Sequence, residues 1–108
     1  MTILKKDNAD PEAALKNFRD SLQRENPPEE LPVLLRSLWY DAKGDWAKAH
    51  HLVDQLQEPL ACRVHAYLHR KEGDTGNATY WYRNCGMELP AMTHPPAKEW
   101  EALVRLLC

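Results

Sequence analysis

Apolar and aromatic residues recur at steps of three and four residues along most of the chain, which is the periodicity of amphipathic helices. The clearest example is the stretch 62–85, in which two such runs flank the pair Gly73-Asp74. Glycine tolerates the left-handed backbone that ends a helix, and aspartate can cap the free N–H groups at the start of the next one. The stretch therefore predicts two helices joined by a tight turn.

Three further helices are predicted in the N-terminal half. The first starts at the sequence Asp-Pro-Glu of residues 10–12 and extends to about Arg24, because a capping acid, a first-turn proline and an acid near the positive end of the dipole follow one another. The second spans 29–42, and the third, capped by Asp45, extends to Leu56.

The remaining segments complete an all-α prediction. Residues 1–9 are polar and predict a loose arm, while three prolines among residues 86–96 predict a loop. A last amphipathic helix carries Trp100 and Leu103 on one side. The sequence lacks the period-two alternation of strands, so we predict a single domain, residues 1–108, of five to six antiparallel helices.

The sequence around the second Gly-Asp pair repeats an earlier stretch. Superimposing Gly44-Asp45 on Gly73-Asp74, an offset of 29 residues, aligns small residues with small ones and large residues with large ones. The aligned pairs are Ser37 with Ala66, Tyr40 with His69, Ala49 with Ala78 and Val53 with Tyr82. Small residues let two antiparallel helices approach closely, and large ones fill the space between successive hairpins.

This spacing of a small residue, a ring, Gly-Asp, alanine and a large residue resembles that of the tetratricopeptide repeat. The resemblance covers about residues 30–86. It implies a short right-handed solenoid of helical hairpins, in which the first helix of each hairpin lines a concave surface that holds peptides.

Length, charge and cysteine content narrow the classes of partner. With 108 residues and a net charge of −2, the chain forms one modest core and has no field that favours nucleic acid or an anionic membrane. No apolar run in the sequence is long enough to span a bilayer. Three cysteines without a C-x-x-C pair argue against a disulfide framework or a zinc site. We therefore expect a cytoplasmic protein with reduced thiols and no cofactor.

Apolar and basic side chains are predicted to share the concave face. The residues that point away from the hairpin interior are Leu34, Leu38, Asp41 and Ala42 on the second predicted helix and Arg63, Tyr67, Arg70 and Lys71 on the fourth. The residues predicted to bind a peptide are Leu34, Leu38, Arg63, Tyr67, Arg70 and Lys71. A surface that is apolar at one end and cationic at the other suits a short peptide with an acidic group or a free carboxylate. The sequence therefore predicts a non-enzymatic interaction module, and the alternative is a solvated face neutralised by nearby acids.

A second constellation lies on the fourth predicted helix. His65, His69 and Glu72 fall at i, i+4 and i+7 on one face. Two imidazoles four residues apart can clip a divalent metal ion, but no second ligand cluster accompanies them, so we predict no metal site. Together with Tyr80 and Tyr82 they would form the polar pocket of a small ligand-binding protein or enzyme. Alternatively, both histidines hydrogen-bond inside the hairpin.

The predicted partner is therefore a protein or a peptide. The sequence contains no phosphate-binding loop, no paired-carboxylate site and no nucleotide fingerprint. Because two hairpins offer little concave area, homodimerisation through Trp100 and Leu103 is a further alternative.

Overall fold

Six α-helices make up the regular structure in the computed structural model, which describes residues 10–88, 90 and 94–108. The helices are α1 (Pro11–Ser21), α2 (Val33–Ala42), α3 (Trp46–Val53), α4 (Pro59–Lys71), α5 (Thr75–Asn84) and α6 (Pro96–Leu107). No strand occurs among the described residues, so the predicted all-α class is confirmed. The predicted arm, residues 1–9, and four residues of the predicted loop, residues 86–96, lie outside the described residues.

The two Gly-Asp turns have the same geometry. Gly44 and Gly73 have φ angles of 88° and 90°, the left-handed region that favours glycine. In each turn the N–H of the following aspartate donates to the carbonyl five residues earlier, at 2.9 Å. The carboxylates of Asp45 and Asp74 then accept from the backbone N–H three residues later, at 3.1 Å. The predicted turns are confirmed, since the same capping bonds end one helix and start the next.

Three helices are shorter than the sequence predicts. α2 begins at Val33 rather than Glu29, because Pro32 stands directly before it and the residue preceding a proline is disfavoured in helical conformation. α1 ends at Ser21 and α3 ends at Val53. Even the longest helix, α4, has 13 residues, and no helix of the described residues could cross a membrane.

The helices pack as two hairpins with a single helix at either end of the chain. α2 packs against α3 and α4 against α5, while α6 contacts α1, α2 and α4. Between α2 and α3, the buried hydroxyl of Ser37 donates to the carbonyl of Ala49 at 2.8 Å. Between α4 and α5, Ala66, Ala78 and Tyr82 are fully buried together. The aligned small residues therefore occupy the two hairpin interiors, where the sequence places them.

The last helix closes the core. The indole N–H of Trp100 donates to the carbonyl of Leu38 in α2 at 3.0 Å, and the side chain of Leu103 is fully buried. At the far end of α6, Arg105 pairs with Glu12 of α1 at 2.7 Å. The homodimer contact predicted from Trp100 and Leu103 needs correction, because both side chains are already covered within the chain.

A disulfide bond joins Cys62 of α4 to Cys85, the residue after α5, with Cα atoms 5.7 Å apart. The expectation of reduced thiols is therefore wrong for this pair. The two positions lie eleven residues before and twelve residues after Gly73, so a hairpin that turns at this glycine brings them side by side. Cys108 is free and exposed.

Candidate functional site

The six residues predicted to bind a peptide lie on α2 and α4, and α6 covers part of their surface. Leu38 and Tyr67 are 0% and 1% exposed, so they belong to the core and not, as predicted, to an open surface. Leu34 packs half-buried against the same core. Arg63 is half-buried as well, and its Nε atom has no hydrogen-bond partner among the described residues. The surface left for a ligand is narrower than the sequence predicts.

A buried carboxylate engages two of the predicted residues. Asp41 of α2 is 2% exposed and accepts from the Tyr67 hydroxyl at 2.6 Å and from the Lys71 ammonium at 2.7 Å. Burial, together with the charge of Asp41, raises the pKa of Tyr67. Lys71 compensates the buried charge while part of its side chain stays exposed, so it can still donate to a ligand.

A second buried carboxylate, Glu99 of α6, engages Arg70. The guanidinium donates to Oε1 of Glu99 at 2.8 Å and also bonds to the carbonyl of His94. The Tyr82 hydroxyl donates to Oε2 of Glu99 at 2.6 Å, and burial with this hydrogen bond raises the pKa of Tyr82. Arg70 therefore ties α4 to α6. The sequence does not show this pairing, because Glu99 looks like an ordinary acid in the first turn of a helix.

A cleft of about 310 Å³ opens between α1, α2, α4 and α6. Its lining, mostly apolar, consists of Arg19, Leu22, Asp41, Ala42, Tyr67, Lys71, Pro96, Ala97 and Trp100. The guanidinium of Arg19 lies 5.7 Å from the centre of the Trp100 ring, within reach of a cation–π contact, and pairs with Glu101. The cleft thus retains Tyr67 and Lys71 of the predicted set and adds Arg19, Pro96, Ala97 and Trp100 from the flanking helices.

Three histidines meet between α3 and α4. His65 and His69 lie on one face of α4, as predicted, and their rings stack with centres 4.9 Å apart. His50 of α3 joins them, with its Nε2 atom 3.0 Å from Nε2 of His65 and its ring centre 5.1 Å from that of His69. The sequence draws attention to His50 only through its neighbour His51, which points elsewhere. The informative signal is the pair Trp46 and His50, which has the four-residue spacing of the α4 pair.

Two tryptophans enclose the histidine cluster, which consists of His50, His65 and His69. Trp46 stacks on His50 with ring centres 4.8 Å apart and planes 11° apart. Trp81 stacks on His65 with ring centres 4.1 Å apart. His65 and His69 are 3% and 8% exposed. Stacking therefore holds the imidazoles in defined planes, and burial keeps the His65 and His69 rings away from bulk water.

Carboxylates lie near two of the three imidazoles. Nδ1 of His69 hydrogen-bonds to Oε2 of Glu72 at 2.9 Å, and Nδ1 of His50 lies 3.9 Å from Oδ2 of Asp54. Nδ1 of His65 is buried without a hydrogen-bond partner among the described residues. Burial lowers the pKa of His65 to about 4, and the neighbouring His50 and His69 act in the same direction. The His65 ring is therefore uncharged at neutral pH.

The structure separates the two predicted tyrosines from the histidine cluster. Tyr80 is exposed and has its ring against the edge of Trp81. Tyr82 bonds to Glu99 instead. The polar pocket predicted from His65, His69, Glu72 and two tyrosines is therefore divided. Glu72 stays beside the histidines, while the tyrosines do not.

Comparison with known proteins adds no relative from which a role could be transferred. No family model, curated protein or solved structure matches the chain. The resemblance to the tetratricopeptide repeat stays a prediction that rests on the spacing within residues 30–86.

Proposed function

We propose that the protein is a non-enzymatic interaction module that binds an acidic or C-terminal peptide in the cleft between α1, α2, α4 and α6. The observation that carries the proposal is an apolar cleft with two partly exposed cations, Arg19 and Lys71, in its lining. Its volume of about 310 Å³ is at the small end of the range for ligand sites, roughly 300–1,000 Å³. It suits a short extended segment with one apolar side chain inside and a carboxylate beside the cations.

The aromatic walls of the cleft are fixed before a ligand arrives. Trp100 is held by its bond to the Leu38 carbonyl, and Tyr67 is held by its bond to Asp41. Binding then orders few protein side chains, which lowers its entropic cost. A peptide side chain meets only the small accessible part of these rings, because Trp100 is 7% and Tyr67 is 1% exposed.

Two cations provide the preference for a carboxylate. Arginine has five N–H donors in a planar fork, and lysine has three. Glu101 takes up part of this capacity at Arg19, and Asp41 takes up part of it at Lys71. The other donors can form charge-assisted bonds to a peptide carboxylate. Since each cation already faces one acid, we expect the affinity to be modest and to fall with added salt.

The hairpin repeat supports the same surface. α2 contributes Ala42 to the cleft, and α4 contributes Tyr67 and Lys71. These are the first helices of the two hairpins. In the right-handed, tetratricopeptide-like solenoid proposed for residues 30–86, first helices line the concave side. A net charge of −2 also favours a peptide over a nucleic acid as the partner.

A panel of short peptides that end in either a free carboxylate or an amide tests the proposal. The wild-type protein should retain acidic peptides with a free carboxylate better than their amides. Ala97→Trp fills the cleft and should abolish retention, while Ala47→Trp, at an exposed alanine of α3 outside the cleft lining, should preserve it. Failure of every acidic peptide to bind, or unchanged retention by Ala97→Trp, contradicts the proposal.

A further inference from the structure

The ring nitrogens of the histidine cluster converge on one region between α3 and α4. One ring nitrogen from each of His50, His65 and His69 lies within 4.8 Å of the other two. We propose that the cluster binds a divalent transition-metal ion, with zinc as the reference ion. This site is separate from the peptide cleft, because none of the three histidines lines the cleft. α4 contributes Tyr67 and Lys71 to the cleft, and it contributes His65 and His69 to the cluster.

The distances suit imidazole ligands of one ion. A zinc–nitrogen bond is about 2.0–2.1 Å long, so two ligand atoms at a tetrahedral angle are about 3.4 Å apart. The Nε2 atoms of His50 and His65 are 3.0 Å apart, and one ring nitrogen of His69 lies within 4.8 Å of a ring nitrogen of each. Binding an ion therefore requires the three rings to move closer together by rotation within their rotamer wells.

Carboxylates orient two of the three rings as they do in metal sites, where a ligating imidazole generally donates its other N–H to a carboxylate. Nδ1 of His69 bonds to Glu72, which leaves Nε2 as the ligand atom. Nδ1 of His50 faces Asp54, which leaves the Nε2 atom that meets His65. Packing alone explains the ring stacking but not why carboxylates lie at the two Nδ1 atoms.

The cluster by itself leaves polar atoms without partners. The Nε2 atoms of His50 and His65 are 3.0 Å apart, and without an ion one ring donates its Nε2 proton to the other. Oδ1 of Asp54 and Nδ1 of His65 are buried and unpartnered among the described residues. An ion held by the Nε2 lone pairs replaces this hydrogen bond and places a proton on each Nδ1, which makes His50 a donor toward Asp54.

A second group of ligand atoms, from His69, Glu72 and Asp74, overlaps the cluster. Asp74 already caps α5 by accepting from the backbone N–H of Asn77 at 3.1 Å and from its side-chain amide at 2.9 Å. Glu72 is engaged by His69. Because both carboxylates have these partners, the three-histidine set is the better site.

Three neutral imidazoles select the chemical class of the ion. They suit Zn²⁺, Cu²⁺, Ni²⁺ and Co²⁺, whereas Mg²⁺ and Ca²⁺ prefer oxygen ligands. Three protein ligands leave a fourth tetrahedral position for water or a small ligand. His50 is only half-buried, so an ion can reach the cluster past this ring.

Metal titration of chelator-treated protein tests the site. A Cys108→Ser background removes the free exposed thiol as a competing ligand. Zinc chloride is titrated by calorimetry, and cobalt chloride by absorption, since the intensity of its visible bands reports tetrahedral coordination. We expect one equivalent of either ion, and loss of both signals in His50→Gln and in His69→Gln.

The chain offers a matched control in His51, which is exposed and adjacent to His50. His51→Gln should bind zinc as the parent protein does. Glu72→Gln keeps all three ligands and should weaken binding by about 10–100-fold. Circular dichroism checks that each variant is folded. Absence of stoichiometric zinc binding by the folded parent, or equal binding by His50→Gln and His51→Gln when both are folded, overturns the proposal.

Discussion

Arg70 and Glu99 form a buried ion pair that joins α4 to α6, with a guanidinium N–H donating to the carboxylate at 2.8 Å. The Tyr82 hydroxyl of α5 bonds to the same carboxylate, so three helices meet at one charged group. Because Glu99 is 2% exposed, loss of its arginine partner leaves an uncompensated charge in the core.

Arg70→Met should lower the free energy of unfolding by about 3–5 kcal/mol, measured by urea denaturation. Tyr82→Phe keeps the ion pair and removes one bond to a charged group, so its cost should be about 1.5–3 kcal/mol. Arg83→Met, at an exposed arginine of α5, should change stability by no more than about 0.5 kcal/mol. Near-normal stability of Arg70→Met with weakened peptide binding would instead assign Arg70 to the ligand surface, as the sequence predicts.

Ala66 and Ala78 should not tolerate larger side chains. Both are fully buried inside the α4–α5 hairpin, so Ala66→Leu or Ala78→Leu should destabilise the protein by about 1–3 kcal/mol through overpacking. Ala47→Leu, at an exposed helical position, is the control. Thermal unfolding followed by circular dichroism measures the effect. A midpoint equal to that of the control would show that the two helices do not pack through these alanines.

Arg19 should contribute to peptide binding through its charge. A charge-assisted hydrogen bond contributes about 1.5–3 kcal/mol, so Arg19→Gln should lower the affinity for an acidic peptide about tenfold or more. Lys16→Gln is the matched control, because Lys16 is an exposed cation of the same helix that pairs with Asp20 outside the cleft. Fluorescence anisotropy of a labelled peptide gives both affinities. Equal affinities of Arg19→Gln and Lys16→Gln would show that the peptide carboxylate does not bind at Arg19.

The disulfide between Cys62 and Cys85 should stabilise the fold by about 2–4 kcal/mol, because it closes a loop of 23 residues in the unfolded chain. Reductant should lower the thermal midpoint of the wild type but not that of the Cys62→Ser/Cys85→Ser variant. Unfolded protein should show one reactive thiol, that of Cys108, before reduction. Three reactive thiols before reduction would favour the predicted cytoplasmic location, where disulfides are rare.

Acid should destabilise the metal-free protein through His65. Its folded-state pKa of about 4 lies below the ordinary 6.5, so between these pH values the unfolded chain binds the extra proton. The stabilising contribution is therefore complete above pH 6.5 and is lost as the pH falls toward 4.

The free energy of unfolding of the wild type minus that of His65→Asn should fall by about 1–3 kcal/mol when the pH is lowered from about 7.5 to about 4.5. Both proteins are measured with a chelator present. His51→Asn, at an exposed histidine, should follow the wild-type pH profile. Parallel profiles for wild type and His65→Asn would mean that His65 titrates normally in the folded state.

Local sequence patterns, which span only a few residues, predict the helices and turns of this fold better than they predict its candidate sites. Gly73 and Asp74 set the turn between α4 and α5 through their own backbone and capping preferences, so the sequence places this turn correctly. The sequence predicts the start of α2 too early. The effect of Pro32 on the residue before it outweighs the helix-forming acids upstream.

Contacts between helices are harder to infer. Periodicity shows that His65 and His69 share a face of α4, but only packing of α3 against α4 shows that His50 meets them. Likewise, Glu99 reaches Arg70 across 29 residues, and helical spacing carries no information about which faces of two helices meet.

The position of α6 also has a consequence for synthesis on the ribosome. The bond from Trp100 to Leu38 spans 62 residues, whereas the contacts inside each hairpin are local. The hairpins can therefore form on the emerging chain. Leu38 and Arg70 gain their α6 partners, Trp100 and Glu99, only after α6 has left the exit tunnel. During that interval the nascent chain presents apolar surface of the kind that chaperones bind.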